Sequence, residues 1–316
     1  MHIQQKLVAE VKSARYYAVL FDETTDVAHM SQGSLVLRYV DGSGEIHEVF
    51  VGFVQVEDAT GRGLARLIKS TLTDLGLSLA DCRGQVYDGA AAMQGKFQGC
   101  ETIILEEQPL APYMYIHCHA HRLNLALSSA CDLLEFKNMF GTMAVVVDFI
   151  ESSTKRIESL KAIIDEDAAS GGDAAQHKRR RLKKYCATRW LDRHDTVSVF
   201  RELLPYVVKL LDYFAIEGDA KSTASAQAFL GAVKKTQFLV ALIVAEHLMS
   251  FLVAVSAKLQ TANLNLADAI SSIDTIKRQF RDIRENCDEE FRAIFAEATG
   301  TADVLDVLLE VPRRAG

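Results

Sequence analysis

Two aspartates stand where carboxylates could carry out phosphoryl chemistry. Asp22 follows the run YAVLF in FDETTD, and Asp88 follows GQVY in VYDGAAAM. Each short apolar run reads as a buried strand, which puts each carboxylate at a strand's C-terminal end. Parallel neighbouring strands lie about 4.8 Å apart, so with side-chain reach the two carboxylates are expected within about 4–8 Å of each other. Such a pair can share hard divalent cations. Two Mg²⁺ or Mn²⁺ ions about 3.5–4 Å apart clamp the attacking and leaving oxygens of a phosphoryl transfer. Gly89 and the small residues Ala90, Ala91 and Ala92 would let a phosphate backbone come close. Aspartates after strands also serve as turn and N-cap residues, so Asp88 could instead cap a helix beginning at Gly89, and Glu23 and Asp26 could be solvated loop acids.

Three further groups carry chemistry. Cys118 and His121 form a Cys-x-x-His pair, with His117 and His119 beside them. That is half of a tetrahedral zinc site, but no second Cys/His pair with zinc spacing follows, and His177 and His194 are isolated. The alternatives are a structural role at the mouth of the acidic site, imidazoles turned towards a phosphate, or a buried thiol among satisfied histidines. The run HKRRRLKK at 177–184 is dense in positive charge. It could be a solvated loop, a DNA phosphate contact through Arg179, Arg180 and Arg181, or a nuclear-localisation signal. Trp190, the one tryptophan, follows Arg189. It could stack on a base or anchor a core.

The elements that must position these residues are strands first and helices afterwards. YYAVLF at 16–21 is a central strand. GSLVLRYV and EIHEVFVGFVQV flank the turn DGSG and read as a hairpin. Leu64, Leu67, Ile68, Leu72 and Leu75 have helical spacing. GQVY is a fourth strand and YMYIH at 113–117 a fifth, running into a helix near 119–131. The predicted order is β-β-β-α-β-α-β-α, a mixed sheet with a parallel centre and an antiparallel edge, which is the order of an RNase H-like α/β fold. After residue 132 the pattern is helical, with stretches at 134–165, 195–216, 225–260, 266–298 and 302–310. The domains predicted are therefore 1–132, an incomplete catalytic core, and 133–316, an all-α insertion. A polar, charge-rich break at 166–184 reads as a loop or disordered linker. The wide apolar stripe at 238–259 needs partners.

The 316 residues are 49% hydrophobic and 24% charged, enough for real cores. No uninterrupted apolar run has membrane-spanning length, so no membrane partner is expected, and the N-terminus lacks a signal-peptide pattern. Six scattered cysteines show no disulfide spacing and read as free thiols of a reducing compartment. A net charge of −7 argues against nucleic-acid binding over the whole surface but leaves a local basic groove open.

Four segments in this order, YAVLFDETTD, GQVYDGAAAMQGKFQG, YIHCHAHRLNLAL and CATRWLDR, together resemble the hAT superfamily of DNA transposases, and especially transposase-like domains of host proteins descended from it. The resemblance spans the whole chain. It implies that Asp22 and Asp88 match the first two members of an Asp-Asp-Glu metal triad. It matches Cys118 and His121 to the family's C-x-x-H motif, and Trp190 to an Arg-Trp motif whose tryptophan packs near the transposon end and a flipped base. It also implies Mg²⁺ or Mn²⁺ as cofactor in active members, DNA as partner (transposon ends or genomic sites), a homodimer or higher oligomer in full-length relatives, and a nuclear location. The family's glutamate lies beyond the helical insertion, on a helix expected after Pro312-Arg313-Arg314. Neither Glu246 nor Glu310 is assigned to that role. The family's N-terminal zinc finger and C-terminal dimerisation segment are not matched, so the chain is expected to be a fragment, inactive in strand transfer by itself. The competing reading is a domesticated, non-catalytic module that binds DNA or protein. A nuclease of non-transposon origin would need a third acid in the sheet domain and leaves Trp190 and the helical half without a role.

If Trp190 stacks on an unpaired base, Trp190→Ala should weaken binding to DNA carrying such a base by roughly 1–3 kcal/mol and leave plain duplex binding almost unchanged. Neutralising Arg179, Arg180 and Arg181 should weaken both and flatten the salt dependence. Binding isotherms and melting curves on the same Trp190 variant check the first point. A lowered melting temperature with unchanged preference for unpaired bases would instead make Trp190 a core anchor.

Overall fold

Strict alternation of large apolar residues builds the first unit of the chain. In the computed structural model, which describes residues 2–25, 30–95, 98–108, 115–130, 132–175, 179–184 and 190–310, three long strands carry this pattern. They are β1 (Tyr17–Thr25), β2 (Ser31–Val40) and β3 (Ile46–Gln55). Tyr17, Val19 and Phe21 alternate inward on β1, as do Leu35, Leu37 and Tyr39 on β2. The helix α1 (His2–Ala14) precedes them, and α2 (Gly61–Asp74) follows and lays Leu64, Ala65, Ile68 and Leu72 on the same core. Thr60 caps α2 by accepting a hydrogen bond from the Gly63 amide at 3.1 Å. Then come β4 (Cys82–Tyr87), the short α3 (Ala91–Gln94), α4 (Cys100–Glu107), β5 (Tyr115–His117) and α5 (His119–Ala130).

The five strands form one mixed sheet in the order β3-β2-β1-β4-β5. β1 pairs antiparallel with β2 and β2 with β3, whereas β1/β4 and β4/β5 are parallel. Gly33 on β2 is dictated by space: a Cβ there would lie 2.0 Å from Cζ of Phe21. Two details differ from the sequence reading. The N-terminal segment is a helix whose Val8 and Val11 enter the core, and two helices, not one, separate β4 from β5.

The remaining elements are helical: α6 (Leu134–Glu151), α7 (Thr154–Ala169), α8 (Trp190–Glu217), α9 (Ala220–Val233), α10 (Thr236–Leu259), α11 (Leu266–Glu285) and α12 (Cys287–Val304). The chain divides into two compact units. One is Met1–Leu125 with Lys258–Ala269, and the other is Ala126–Ala257 with Ile270–Gly316. The division thus falls near residue 125 where the pattern change suggests 132, and it returns a short later segment to the first unit. There the Arg38 guanidinium donates to the backbone carbonyls of Ala262 at 3.2 Å and Leu264 at 2.5 Å while pairing with Glu48 across the β2/β3 ladder.

The second unit has its own core, centred on Met143, Ile150, Phe200, Leu203, Leu211 and Leu242. The polar stretch 166–184, expected as a loop or disordered linker, is more ordered than its charge suggests over its described residues. α7 continues to Ala169, a 3₁₀ turn occupies Asp173–Ala175, and Leu182 is buried. Burial of Leu182 is one contribution that holds this polar segment against the helical unit. By length and composition alone α10 is apolar enough to cross a membrane. Its Phe238, Leu239, Leu242, Ala245 and Met249 instead enter the helical core, and its Glu246 is ion-paired to Arg201 of α8.

Phe200 is fully buried and meets Phe238 edge-on at 6.0 Å. Phe200→Ala should destabilise the helical unit by about 3–5 kcal/mol in urea unfolding. Leu308, 89% exposed, should tolerate alanine within about 0.5 kcal/mol.

Candidate functional site

The register of β1 against β4 places the two aspartates. Leu20 pairs with Val86, and Asp22 and Asp88 each lie two residues further along their strands' direction. Alternation sends Tyr17, Val19 and Phe21 of β1 and Gln85 and Tyr87 of β4 into the core. Leu20, Asp22, Val86 and Asp88 therefore fall on the other face of the sheet. Asp22 is exposed, and its backbone carbonyl accepts a hydrogen bond from Ser34 Oγ at 3.2 Å. Asp88 is half-buried. Its Oδ1 accepts from the Ala90 amide at 3.1 Å, and its backbone carbonyl accepts from the Tyr115 hydroxyl at 3.4 Å. The turn reading of Asp88 and the site reading are compatible, since one carboxylate oxygen shapes the turn. Asp22 is not at its strand's end as expected, because β1 stays paired to β2 as far as Thr25; only its parallel pairing with β4 stops, at Leu20. Two hard carboxylates just beyond that parallel ladder suit Mg²⁺ or Mn²⁺ in kind, although they fill only part of an octahedral shell.

The C-terminal end of β5 lies beside Asp88. The Cys118 amide donates to the Tyr87 carbonyl at 3.0 Å, extending the β4/β5 ladder by one bond. Rings of Tyr87, Tyr115, His117 and His121 follow one another at 6.0, 6.5 and 5.6 Å between centroids. Burial pushes the Tyr115 hydroxyl up to about 12, with Glu101 and Asp88 adding to it. Burial also pushes the His117 imidazole below its ordinary value, helped by His121 and Arg122 and opposed by Asp88. His119 is lowered by burial and by Arg122. Nε2 of His117 and of His119 are buried without a hydrogen-bond partner. This histidine arrangement was visible in the sequence only as a cluster; what the sequence hid is that His117 packs against Gly89.

Among the described residues, one group of three metal-ligating side chains has its ligand atoms within 4.8 Å of one another: Asp41, Glu45 and His47. Cys118, His119 and His121 do not form such a group, so the zinc alternative gains no third ligand. The Asp41 group is the hairpin turn itself. Asp41 Oδ1 accepts from Ser43 N, Ser43 Oγ and Glu45 N, and Oδ2 meets His47 Nε2 at 2.8 Å.

The basic run is engaged with acids of its own unit. Arg179 pairs with Asp195 at 2.7 Å, Arg180 with Asp165 at 3.0 Å and Arg181 with Glu151 at 2.5 Å, and Lys183 also pairs with Asp195. A free basic arm is not what these four side chains form. The partner acids stand 12 to 30 residues away in sequence, so no local pattern marks them. Arg189 lies outside the described residues, as do Asp26, His177 and Lys178. Trp190 opens α8, with only its backbone described.

A cavity of about 750 Å³ opens on the face of the sheet that carries the acids, floored by Ala18, Leu20, Gly84, Val86 and Ile116. Its lining does not include Asp22 or Asp88.

With this geometry in place, comparison with known proteins is informative. Residues 1–99 match a family described as DUF4371, ZMYM1/FAM200, RNase-like domain. Over 317 residues the chain is 26% identical to the "52 kDa repressor of the inhibitor of the protein kinase" of Mus musculus, an alignment covering 98% of this chain and 41% of the relative. The Homo sapiens protein of that name is 25% identical over 315 residues, covering 98% of this chain and 40% of its own length. The chain thus spans about two-fifths of the length of these relatives. The family match covers α1 to α3 and includes both aspartates.

The Asp41 turn yields a pH prediction. Hydrogen bonds from the Ser43 and His47 side chains and the Glu45 amide hold its carboxyl well below the usual carboxylate range. A depressed folded-state value stabilises the fold above the unfolded value of about 4, and that contribution is lost as pH falls through the folded value. Carboxyl ¹³C titration should show Asp41 still ionised where other aspartates protonate, and Ser43→Ala should move its midpoint upward.

Proposed function

We propose that this chain is the RNase H-like part of a hAT-type, transposase-derived nuclear protein that engages DNA, and that Asp22 and Asp88 form the acidic half of its divalent-metal site. The observation that supports it most directly is the register of β1 and β4: the two aspartates each stand two residues beyond the last pair of that parallel ladder, Asp22 inside β1 and Asp88 just after β4, on one face of the sheet. Match of residues 1–99 to an RNase-like domain family adds to it. When bound, Mg²⁺ or Mn²⁺ would polarise a phosphodiester and activate water. The protein's own contribution is to hold Asp22 and Asp88 in register. Two carboxylates are too few to fix a two-metal geometry, so this chain alone is proposed to bind metal weakly and not to join DNA strands.

A second reading is a domesticated module whose function is DNA or protein binding without catalysis. It is favoured by the similarity to proteins named as repressors and by the ion-paired state of Arg179, Arg180 and Arg181. The first reading includes association with DNA, the second with DNA or a protein partner, and both go with self-association of full-length relatives.

Mn²⁺ titration followed by electron paramagnetic resonance tests the proposal. Wild-type protein should bind Mn²⁺, and Asp22→Asn or Asp88→Asn should each weaken binding about tenfold or more, which is about 1.4 kcal/mol. Mn²⁺ affinity unchanged in both variants would remove the metal site. Metal-dependent strand joining by the 316-residue chain would overturn the claim that its carboxylates are incomplete.

A further inference from the structure

Gly89, directly after Asp88, is a glycine for a spatial reason. Its φ lies outside the left-handed region, so its backbone could accept any L residue. A Cβ at this position would instead lie 2.5 Å from Cε1 and 2.8 Å from Nε2 of His117. The flat ring of His117 lies directly under the turn. That ring has aromatic neighbours with centroids 6.5 Å and 5.6 Å away. Tyr115 stacks on it at 27° and His121 lies at 31°, and its Nε2 is already buried. The turn above it is closed by the Ala90 amide donating to Asp88 Oδ1 at 3.1 Å, so the height of residue 89 over the ring sets the direction of the Asp88 carboxylate.

The geometry points to His117 as a positioning residue: its ring is the seat on which the Asp88–Gly89 turn rests, and this close packing aims the Asp88 carboxylate. The inference rests on the reading of Asp88 as a metal ligand only for its functional consequence. The seat itself is observable without metal. His117 acts here by shape, and its nitrogens are not required as ligands.

The test uses the full chain and two readouts: hydrogen exchange of the Ala90 amide, which reports the turn, and Mn²⁺ affinity, which reports the carboxylate. Amides of Val19 and Leu37 in the central sheet serve as the folding control. Gly89→Ala should speed Ala90 exchange at least tenfold and weaken Mn²⁺ binding by a similar factor, with the control amides unchanged. Combining Gly89→Ala with His117→Ala should restore Ala90 protection, because the methyl enters the space the ring left. His117→Phe keeps the plate and should match wild type in both readouts, whereas His117→Ala should lose protection and affinity. If Gly89→Ala disturbs the control amides, the His117→Phe and His117→Ala pair decides alone. Ala90 protection unchanged in Gly89→Ala overturns the seat. So does His117→Phe losing Mn²⁺ as fully as His117→Ala, which would make the imidazole a ligand. Absence of Mn²⁺ binding in wild type, with the exchange pattern as expected, removes the metal reading and leaves the seat standing.

Discussion

The pairing of β1 with β4 is the constraint on which the rest of the first unit depends. A parallel pair cannot be closed by a tight turn. Here β2, β3 and α2 intervene between the two strands, and they also supply the antiparallel edge and much of the core. Alternation then ties packing to chemistry. With Val19 and Phe21 held in the core, Asp22 has to face away from it. A slip of one residue in β1 would turn the carboxylate into the apolar layer and expose Phe21, and the cost of both keeps the register unique.

Much of this was legible from residue patterns because it rests on periodicity. Val, Leu, Phe and Tyr at every second position identify β1 and β2, and the DGSG turn between β2 and β3 is marked by composition alone. The mixed five-stranded sheet and the helical second half follow from the same signals. Other features depend on contacts between distant residues. α1 is weakly patterned, and only Val8 and Val11 give it a buried face. The order in 179–184 comes from Leu182 and from Asp165, Glu151 and Asp195, which pattern reading cannot pair with the arginines. α10 shows how hydropathy misleads in both directions: it is apolar enough for a bilayer, yet its Glu246 and Arg201 pairing and its buried face make it a core helix.

The positive charge of the basic run is compensated within its own unit. Arg179, Arg180, Arg181 and Lys183 face Asp195, Asp165 and Glu151, so four cations share three carboxylates. Such partly exposed pairs contribute little to stability, about 0–1 kcal/mol each. The basic run is therefore better described as a compensated surface than as a solvated arm.

The return of Lys258–Ala269 to the first unit affects how the molecule is made. The sheet strands leave the ribosome first, but the segment whose Ala262 and Leu264 carbonyls receive Arg38 comes more than a hundred residues after Leu125. At about 5–20 residues per second, translation of the intervening stretch lasts roughly 7–26 s. Throughout that interval Arg38 lacks these two carbonyl partners, and the apolar surface around Leu20 and Val86 lacks that segment as a neighbour. The nascent sheet thus passes through a window in which holdase chaperones have something to bind, and the helical unit must be largely synthesised before the sheet unit is complete.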